Sequence, residues 1–153
     1  MKALKITNPL WVNKIAPLVM KFLDRIEKHA NVQGINYESL ITHLTQISQF
    51  GGELVELWVV FKDEEPVAFA TWRVMPLPHF GKVYCDYIFK SVKDHLPTRL
   101  LAEEFIKFGQ KHKAPLYCMD ATDEAIARTL TKLANELGLT MEKTSTVSLF
   151  ARK

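Results

Sequence analysis

Residues 83–119 read VYCDYIFKSVKDHLPTRLLAEEFIKFGQKHKAPLYCM and combine two hydrophobic periods. Val83 to Phe89 is an apolar and aromatic run of the kind that favours a strand. Thr98 to His112 repeats apolar residues at helical spacing, and its closing lysines suit a helix C-terminus. Leu116 to Met119 is again short and apolar. A strand, a helix and a strand in this order predict a parallel, right-handed crossover.

A hairpin is predicted just upstream of this unit. Leu54 to Lys62 and Val67 to Met75 are rich in β-branched and aromatic residues, and residues 63–66 (DEEP) read as a turn between them. Together with Val83 to Phe89, these segments should form three consecutive antiparallel strands.

The remaining elements complete the predicted order β-α-α-β-β-β-α-β-α-β-β. Upstream we expect a strand over Met1 to Thr7, a helix entered at Asn8-Pro9 and kinked or split at Pro17, and a helix over Tyr37 to Gln49 ended by Gly51-Gly52. Downstream we expect a helix over Asp123 to Leu137, ended by Gly138, and strands over Leu139 to Glu142 and Ser145 to Phe150. The predicted fold class is α/β, a mixed, mostly antiparallel sheet flanked by helices in one domain, 1–153.

Composition narrows the class of protein. With 153 residues, a net charge of +3 and a pI near 8.8, the chain fits one globular domain and is too weakly basic to favour nucleic-acid binding. It has no signal-peptide pattern and no apolar run long enough to span a membrane, so a cytoplasmic protein is expected. Cys85 and Cys118 are expected to be reduced core thiols, and the five scattered histidines predict no metal site.

The order of elements resembles that of the GNAT superfamily, the Gcn5-related N-acetyltransferases. The resemblance covers nearly the whole chain and includes the strand PVAFATWRV and the ending ELGLTMEKTSTVSLF. It implies a GNAT-like domain, an acyl donor such as acetyl-CoA, and an amine as acceptor.

The resemblance also implies a loop of the form Arg/Gln-x-x-Gly-x-Gly/Ala before a helix with a Leu-Leu pair, where backbone N–H groups hold the donor's pyrophosphate. Aligned on Leu100-Leu101, this chain has Val92, His95 and Pro97 at those positions. The family's general-acid tyrosine falls on Ala134. The chain therefore departs from the motif at each of these positions.

Side chains around this loop remain candidates to bind a CoA-like anion in place of the glycines. A solvated helix entry is the alternative. The candidate cofactor-binding residues are Ile88, Lys90, Lys93, His95, Thr98 and Arg99.

Asp86 is the candidate general base, because a carboxylate on a central strand has its pKa raised by burial. Tyr84 shares its face of the strand and is the second candidate catalytic residue. The alternative is structural: across a hairpin, Thr71 would face Asp86, Arg73 would face Tyr84, and Arg73 would reach Asp86 diagonally as an ion pair.

Two functions follow from these residues. The first is an N-acyltransferase that uses acetyl-CoA or another acyl-CoA on a small-molecule or protein amine. The second is a catalytically inactive GNAT-like binding or structural protein with a protein partner, for example a bacteriophage virion component. The absence of the motif's glycines and tyrosine favours the second function, and the fold favours the first.

Overall fold

A computed structural model describes residues 1–30, 36–75, 83–114, 116–118 and 124–138. In these residues the chain forms a mixed sheet with strands in the order β1-β2-β3-β4-β5. The strands are β1 (Lys2–Lys5), β2 (Val55–Lys62), β3 (Glu65–Val74), β4 (Val83–Lys90) and β5 (Leu116–Cys118). A 3-10 turn (Pro9–Trp11) leads into the helices, which are α1 (Val12–Ala30), α2 (Tyr37–Phe50), α3 (Leu96–His112) and α4 (Glu124–Glu136).

The strand pairing confirms the predicted mixed sheet. β1, β2, β3 and β4 pair antiparallel with their neighbours, and β4 pairs parallel with β5 across the α3 connection. The order of elements agrees with the sequence-based prediction as far as α4. The two predicted final strands lie outside the described residues.

The hairpin turn between β2 and β3 is tighter than predicted. Asp63 and Glu64 alone form it, with φ of 49° and 68°, and β3 already begins at Glu65. Positive φ at both central residues matches the twist of the paired strands, which explains why a two-residue loop suffices. The predicted four-residue turn is therefore wrong for Glu65 and Pro66, which belong to β3. Pro66 is accommodated where the β2–β3 register shifts, between Val60 and Phe61.

Of the two outcomes expected at Pro17, a kink or a split, the split into two helices is wrong. α1 runs unbroken from Val12 to Ala30 with Pro17 inside it, after Asn8 has capped the 3-10 turn by accepting a hydrogen bond from the Leu10 N–H. Pro17 is exposed and lies only one turn and a half into the helix. Its ring removes one backbone hydrogen bond, while Ile15 and Leu18 on either side are buried and hold the helix on the sheet.

Helices cover both faces of the sheet and bury two apolar clusters. On one face, α1 and α2 pack with Phe22, Leu44 and Phe69 in their cluster. On the other face, α3 and Leu133 of α4 pack over Trp72 and its neighbours. β4 contributes residues to both clusters, so its local geometry decides which of its side chains face each helical layer.

Candidate functional site

The centre of β4 contains a bulge at Asp86. Thr71 of β3 lies opposite Tyr87, but the next residue, Trp72, lies opposite Cys85, so Asp86 is the extra residue of β4. The predicted pairing of Arg73 with Tyr84 is confirmed. The predicted pairing of Thr71 with Asp86 is wrong, because the bulge shifts the register by one residue between these two points.

The bulge decides which side chains face each helical layer. Cys85 and Ile88 belong to the cluster beneath α3, whereas Tyr87 packs with the α1 and α2 cluster, its ring centroid 5.5 Å from that of Phe22. In a regular strand, Asp86 and Tyr87 would point to opposite faces. The extra residue instead turns both toward the α1 and α2 layer, beside Tyr84.

Asp86 is held by the ion pair that the sequence predicted. Arg73 Nε lies 3.1 Å from Asp86 Oδ2, and the side chain of Asp86 is 18% exposed while that of Arg73 is 45% exposed. Burial raises the pKa of Asp86, and the charge of Arg73 opposes that rise without cancelling it. A raised pKa is the property that a carboxylate needs to accept a proton near neutral pH.

Two neighbours of Asp86 were not selected from the sequence. His43 of α2 is close enough for the two charges to interact: burial lowers the pKa of His43, and the Asp86 charge partly offsets this. Burial, and then the Asp86 charge, raises the pKa of the Tyr87 hydroxyl. His43 looked like one of five scattered histidines, and no spacing in the sequence connects it with β4.

Thr71 places an unusual polar group beside this cluster. Its side chain is fully buried, and its hydroxyl has no hydrogen-bond partner among the described residues. Phe69 packs on the α1 and α2 side of β3, so Thr71 and Arg73, two and four residues later, face that same side. Native proteins rarely leave a buried hydroxyl unpaired, and such groups concentrate where a ligand or water binds.

The described pairing of β4 with β5 ends one residue before the bulge. It is parallel and joins Val83 to Cys85 with Leu116 to Cys118, while β4 itself continues to Lys90.

Polar groups in the loop from β4 to α3 form hydrogen bonds with one another. Lys90 Nζ donates to the carbonyl oxygens of Lys93, at 3.4 Å, and Asp94, at 3.0 Å, and lies 3.3 Å from His95 Nδ1. The Leu96 N–H donates to Asp94 Oδ1 at 2.9 Å. Pro97 has no N–H to offer.

The other candidate cofactor-binding residues fall into two groups. Ile88 and Thr98 are 3% and 2% exposed, so their side chains are packed inside the domain. Arg99 is exposed, but its guanidinium contacts two carboxylates, Glu103 at 3.3 Å and Glu136 at 3.0 Å. The structure brings Lys90, Lys93 and His95 together in the loop, and it brings His95 and Arg99 together in the groove described next.

A groove of about 510 Å³ opens between the N-terminal turn of α3 and the face of α4. Its basic residues come from both helices and surround an apolar base. It is lined by His95, Leu96, Arg99, Arg128, Thr129, Lys132 and Leu133. Arg128 and Lys132 read in the sequence as the solvated face of an amphipathic helix, so only the packing of α4 against α3 identifies them.

Metal and membrane sites receive no support from the described part of the chain. No group of three or more His, Cys, Asp or Glu side chains there is arranged to hold a metal ion. No helix among the described residues is both long and apolar enough to cross a membrane.

Comparison with solved structures identifies the fold. A ribosomal-protein-alanine N-acetyltransferase from Brucella melitensis biovar Abortus 2308 is 14% identical, with 98% of this chain and 100% of that chain covered and a TM-score of 0.58. An aminoglycoside 6′-N-acetyltransferase from Acinetobacter haemolyticus is 13% identical, with 100% and 99% covered and a TM-score of 0.61.

A third similar structure is an aminoglycoside acetyltransferase from an uncultured soil metagenomic sample in complex with sisomicin. It is 15% identical, with 99% of this chain and 96% of that chain covered and a TM-score of 0.62. No protein-family model and no curated protein sequence matches the chain. At these identities the similarity establishes the architecture, and it gives no support to the bacteriophage alternative.

Proposed function

We propose that this chain, which has the fold of the GNAT acetyltransferases, is an N-acyltransferase that moves an acyl group from acyl-CoA to an amine. The observation that carries the proposal is the bulge at Asp86. It places a mostly buried carboxylate on the same side of the sheet as the buried hydroxyl of Thr71, which has no partner among the described residues.

Asp86 is the proposed general base. Its pKa is raised by burial, so its carboxylate is a better proton acceptor than an exposed aspartate. The ion pair with Arg73 keeps the carboxylate in one orientation without fully offsetting the effect of burial. Tyr84 and Tyr87, on the same side of β4, would shape the space in which the amine nitrogen approaches.

Asp86 accepts one proton from the amine, directly or through a water molecule. The amine nitrogen forms a bond to the acyl carbon and the carbon–sulfur bond breaks. The leaving thiolate takes up a proton from solvent, and Asp86 returns to solvent the proton that it accepted, so the transfer balances. Removing the proton as the nitrogen attacks avoids a cationic intermediate, which is the contribution expected from a positioned base.

The basic groove between α3 and α4 suits the phosphates of an acyl-CoA donor. The acceptor is an amine, and two of the similar structures are named for ribosomal-protein alanine and for aminoglycosides.

The first test is calorimetric titration of the full chain with acetyl-CoA and with CoA. Micromolar affinity is expected, and no binding at millimolar ligand would end the acyl-CoA proposal. A thiol-release assay with acetyl-CoA and a panel of primary amines, including a peptide with N-terminal alanine and an aminoglycoside, then tests transfer.

Asp86→Asn tests the role of the base, with Asp24→Asn as its matched control. Asp24 is an exposed residue of α1, so the same chemical change there should leave turnover intact. Loss of a general base should lower kcat by about 10²–10⁴-fold with little change in donor affinity. A folded Asp86→Asn variant with unchanged kcat would exclude Asp86 as the base.

A further inference from the structure

We infer that the acceptor at Asp86 is a small amine with a carboxylate on the neighbouring carbon, an α-amino acid, and that Arg73 binds this carboxylate. The inference rests on the proposed function for the reaction. It goes beyond that function by naming the class of acceptor and the residue that selects it.

Arg73 has donors left to bind a second carboxylate. Its contact with Asp86 is made through Nε, 3.1 Å from Asp86 Oδ2, and is its one ion pair among the described residues. A guanidinium has five N–H donors, and a single carboxylate engages at most two of them in a bidentate pair. At least three donors therefore remain, and the side chain is 45% exposed, so an incoming anion can reach them.

The side chains of Asp86 and Arg73 lie at different depths, and this sets the direction in which an acceptor binds. Asp86 is 18% exposed, less than half the exposure of Arg73. The amine nitrogen must reach Asp86 to give up its proton, so the outer end of the acceptor lies beside Arg73. Because the two side chains are in direct contact, the acceptor's anion must lie close to its nitrogen. An α-amino acid meets this condition, since one carbon joins its nitrogen to its carboxylate.

The charges around Asp86 favour a zwitterion over a polycation. The Asp86 carboxylate and the Arg73 guanidinium cancel one another, and burial lowers the pKa of His43, so this α2 residue is mostly uncharged at neutral pH. Tyr87 is uncharged as well, because burial and then the Asp86 charge raise the pKa of its hydroxyl. The ammonium and carboxylate groups of an amino acid match this pair of opposite charges. A polyamine would instead hold surplus positive charge close to Arg73, which is unfavourable.

The transfer to such an acceptor balances without a further reactant. The zwitterion loses one ammonium proton to solvent, and the amine passes a second to Asp86 as its nitrogen attacks the acyl carbon. The thiolate of CoA takes up one proton from solvent and Asp86 returns its own, so one proton is released overall and the product is an N-acyl amino acid. The acceptor's carboxylate stays at Arg73 and takes no part in the bond changes.

The test compares each amino acid with its own amide as acceptor. Thiol release from acetyl-CoA is measured with L-amino acids and with the corresponding amides, which keep the amine and the side chain but have no carboxylate. Loss of a charged hydrogen-bonded contact predicts that kcat/KM is about 10- to 100-fold higher for the acid. Equal values for acid and amide, or faster transfer to the amide, to a peptide with N-terminal alanine or to an aminoglycoside, would overturn the inference. This comparison uses the unmodified chain, so no folding defect can obscure it.

Arg73→Gln tests whether Arg73 causes the preference. Removing Arg73 also alters Asp86, but that effect is common to acid and amide, so the ratio of their kcat/KM values isolates recognition of the carboxylate. The ratio should fall to near one in Arg73→Gln and to an intermediate value in Arg73→Lys, which keeps the charge without the planar fork. The matched control Lys111→Gln removes an exposed charge from α3, on the other side of the sheet, and should keep the full ratio. An unchanged ratio in Arg73→Gln would overturn the role of Arg73.

The outcomes separate this inference from the proposed function. Transfer to amines with no preference for a carboxylate would sustain the acyltransferase and overturn the amino acid acceptor. Calorimetric binding of L-amino acids that weakens for their amides and in Arg73→Gln, with no acyl transfer to any amine, would do the reverse. Absence of both transfer and amino acid binding would overturn both.

Discussion

Replacing Thr71 by valine should stabilise the domain. The Thr71 side chain is fully buried, and its hydroxyl finds no partner among the described residues. Valine has nearly the same shape and removes the unpaired group. Leaving a buried hydroxyl unsatisfied costs about 1–3 kcal/mol, so we expect a gain near 1–2 kcal/mol in the free energy of unfolding. For a chain of this size that raises Tm by roughly 2–8 °C.

The opposite result is expected for Thr45→Val, which serves as the control. The Thr45 hydroxyl donates to the Ile41 carbonyl at 2.8 Å in α2, so valine there removes a hydrogen bond that is made. A decrease of about 0.5–1.5 kcal/mol in the free energy of unfolding should follow, with a lower Tm. Calorimetric or fluorescence-monitored melts of both variants beside the unmodified chain measure the difference in sign.

Thr71→Val also tests the proposed function. If the Thr71 hydroxyl binds the amine or a water beside Asp86, valine should lower kcat/KM for acyl transfer by about tenfold, the value of one hydrogen bond to a reacting group. A Tm that falls in Thr71→Val as it does in Thr45→Val would refute the reasoning, because the hydroxyl would then be satisfied in the native state. A gain in Tm with unchanged kcat/KM would restrict Thr71 to a packing role.

Three further substitutions test the rest of the structure. Glu56→Gln should lower stability by about 1–2 kcal/mol in thermal melts, because the buried carboxylate loses its ion pair with Lys5 at 2.8 Å. Burial opposes ionisation of Glu56, but hydrogen bonds from Lys5 and two tryptophans outweigh it and lower its pKa. Its stabilisation is therefore full above the unfolded pKa and is lost as pH falls through the folded one, so melts at low pH should converge for the two proteins. Asp94→Ser keeps an acceptor for the Leu96 N–H but removes the negative charge at the start of α3, and calorimetry should find acetyl-CoA binding a few-fold tighter; weaker binding would contradict a repulsion between Asp94 and the donor's phosphates. Gly109→Ala should lower Tm, because the added methyl meets Leu116 and overpacking by about 1–3 kcal/mol exceeds the helix-propensity gain of about 1 kcal/mol; an unchanged Tm would mean that β5 moves freely.

The sequence predicts this fold where its hydrophobic periods are clear. Residues 83–119 alternate between strand and helix periods, and the structure has β4, α3 and β5 there. The Gly51-Gly52 stop is also confirmed, since α2 ends at Phe50 and Gly52 has a φ of 57°. These features depend on local chemistry, so one sequence is enough to find them.

The sequence does not predict features set by register or by the packing of distant elements. β4 is apolar or aromatic on both faces, so nothing in its pattern marks Asp86 as an extra residue. Glu56 reads as a solvent-facing strand residue, yet its carboxylate accepts hydrogen bonds from Trp58 at 3.1 Å and Trp72 at 3.0 Å. Each case needs the partner strand, which lies many residues away in the chain.

Two ion-paired carboxylates of the sheet, Glu56 and Asp86, have pKa values shifted in opposite directions. Glu56 has its pKa lowered because three donors satisfy its charge, so burial is fully compensated. Asp86 has its pKa raised because Arg73 and His43 do not compensate for burial, and it shares its side of the sheet with Thr71, whose hydroxyl has no partner among the described residues. A fold under selection for stability alone would favour the first arrangement, since an under-compensated buried charge weakens the native state. The second arrangement is the one expected where a carboxylate must exchange a proton, which supports the role proposed for Asp86 and gives the Glu56 network a structural role.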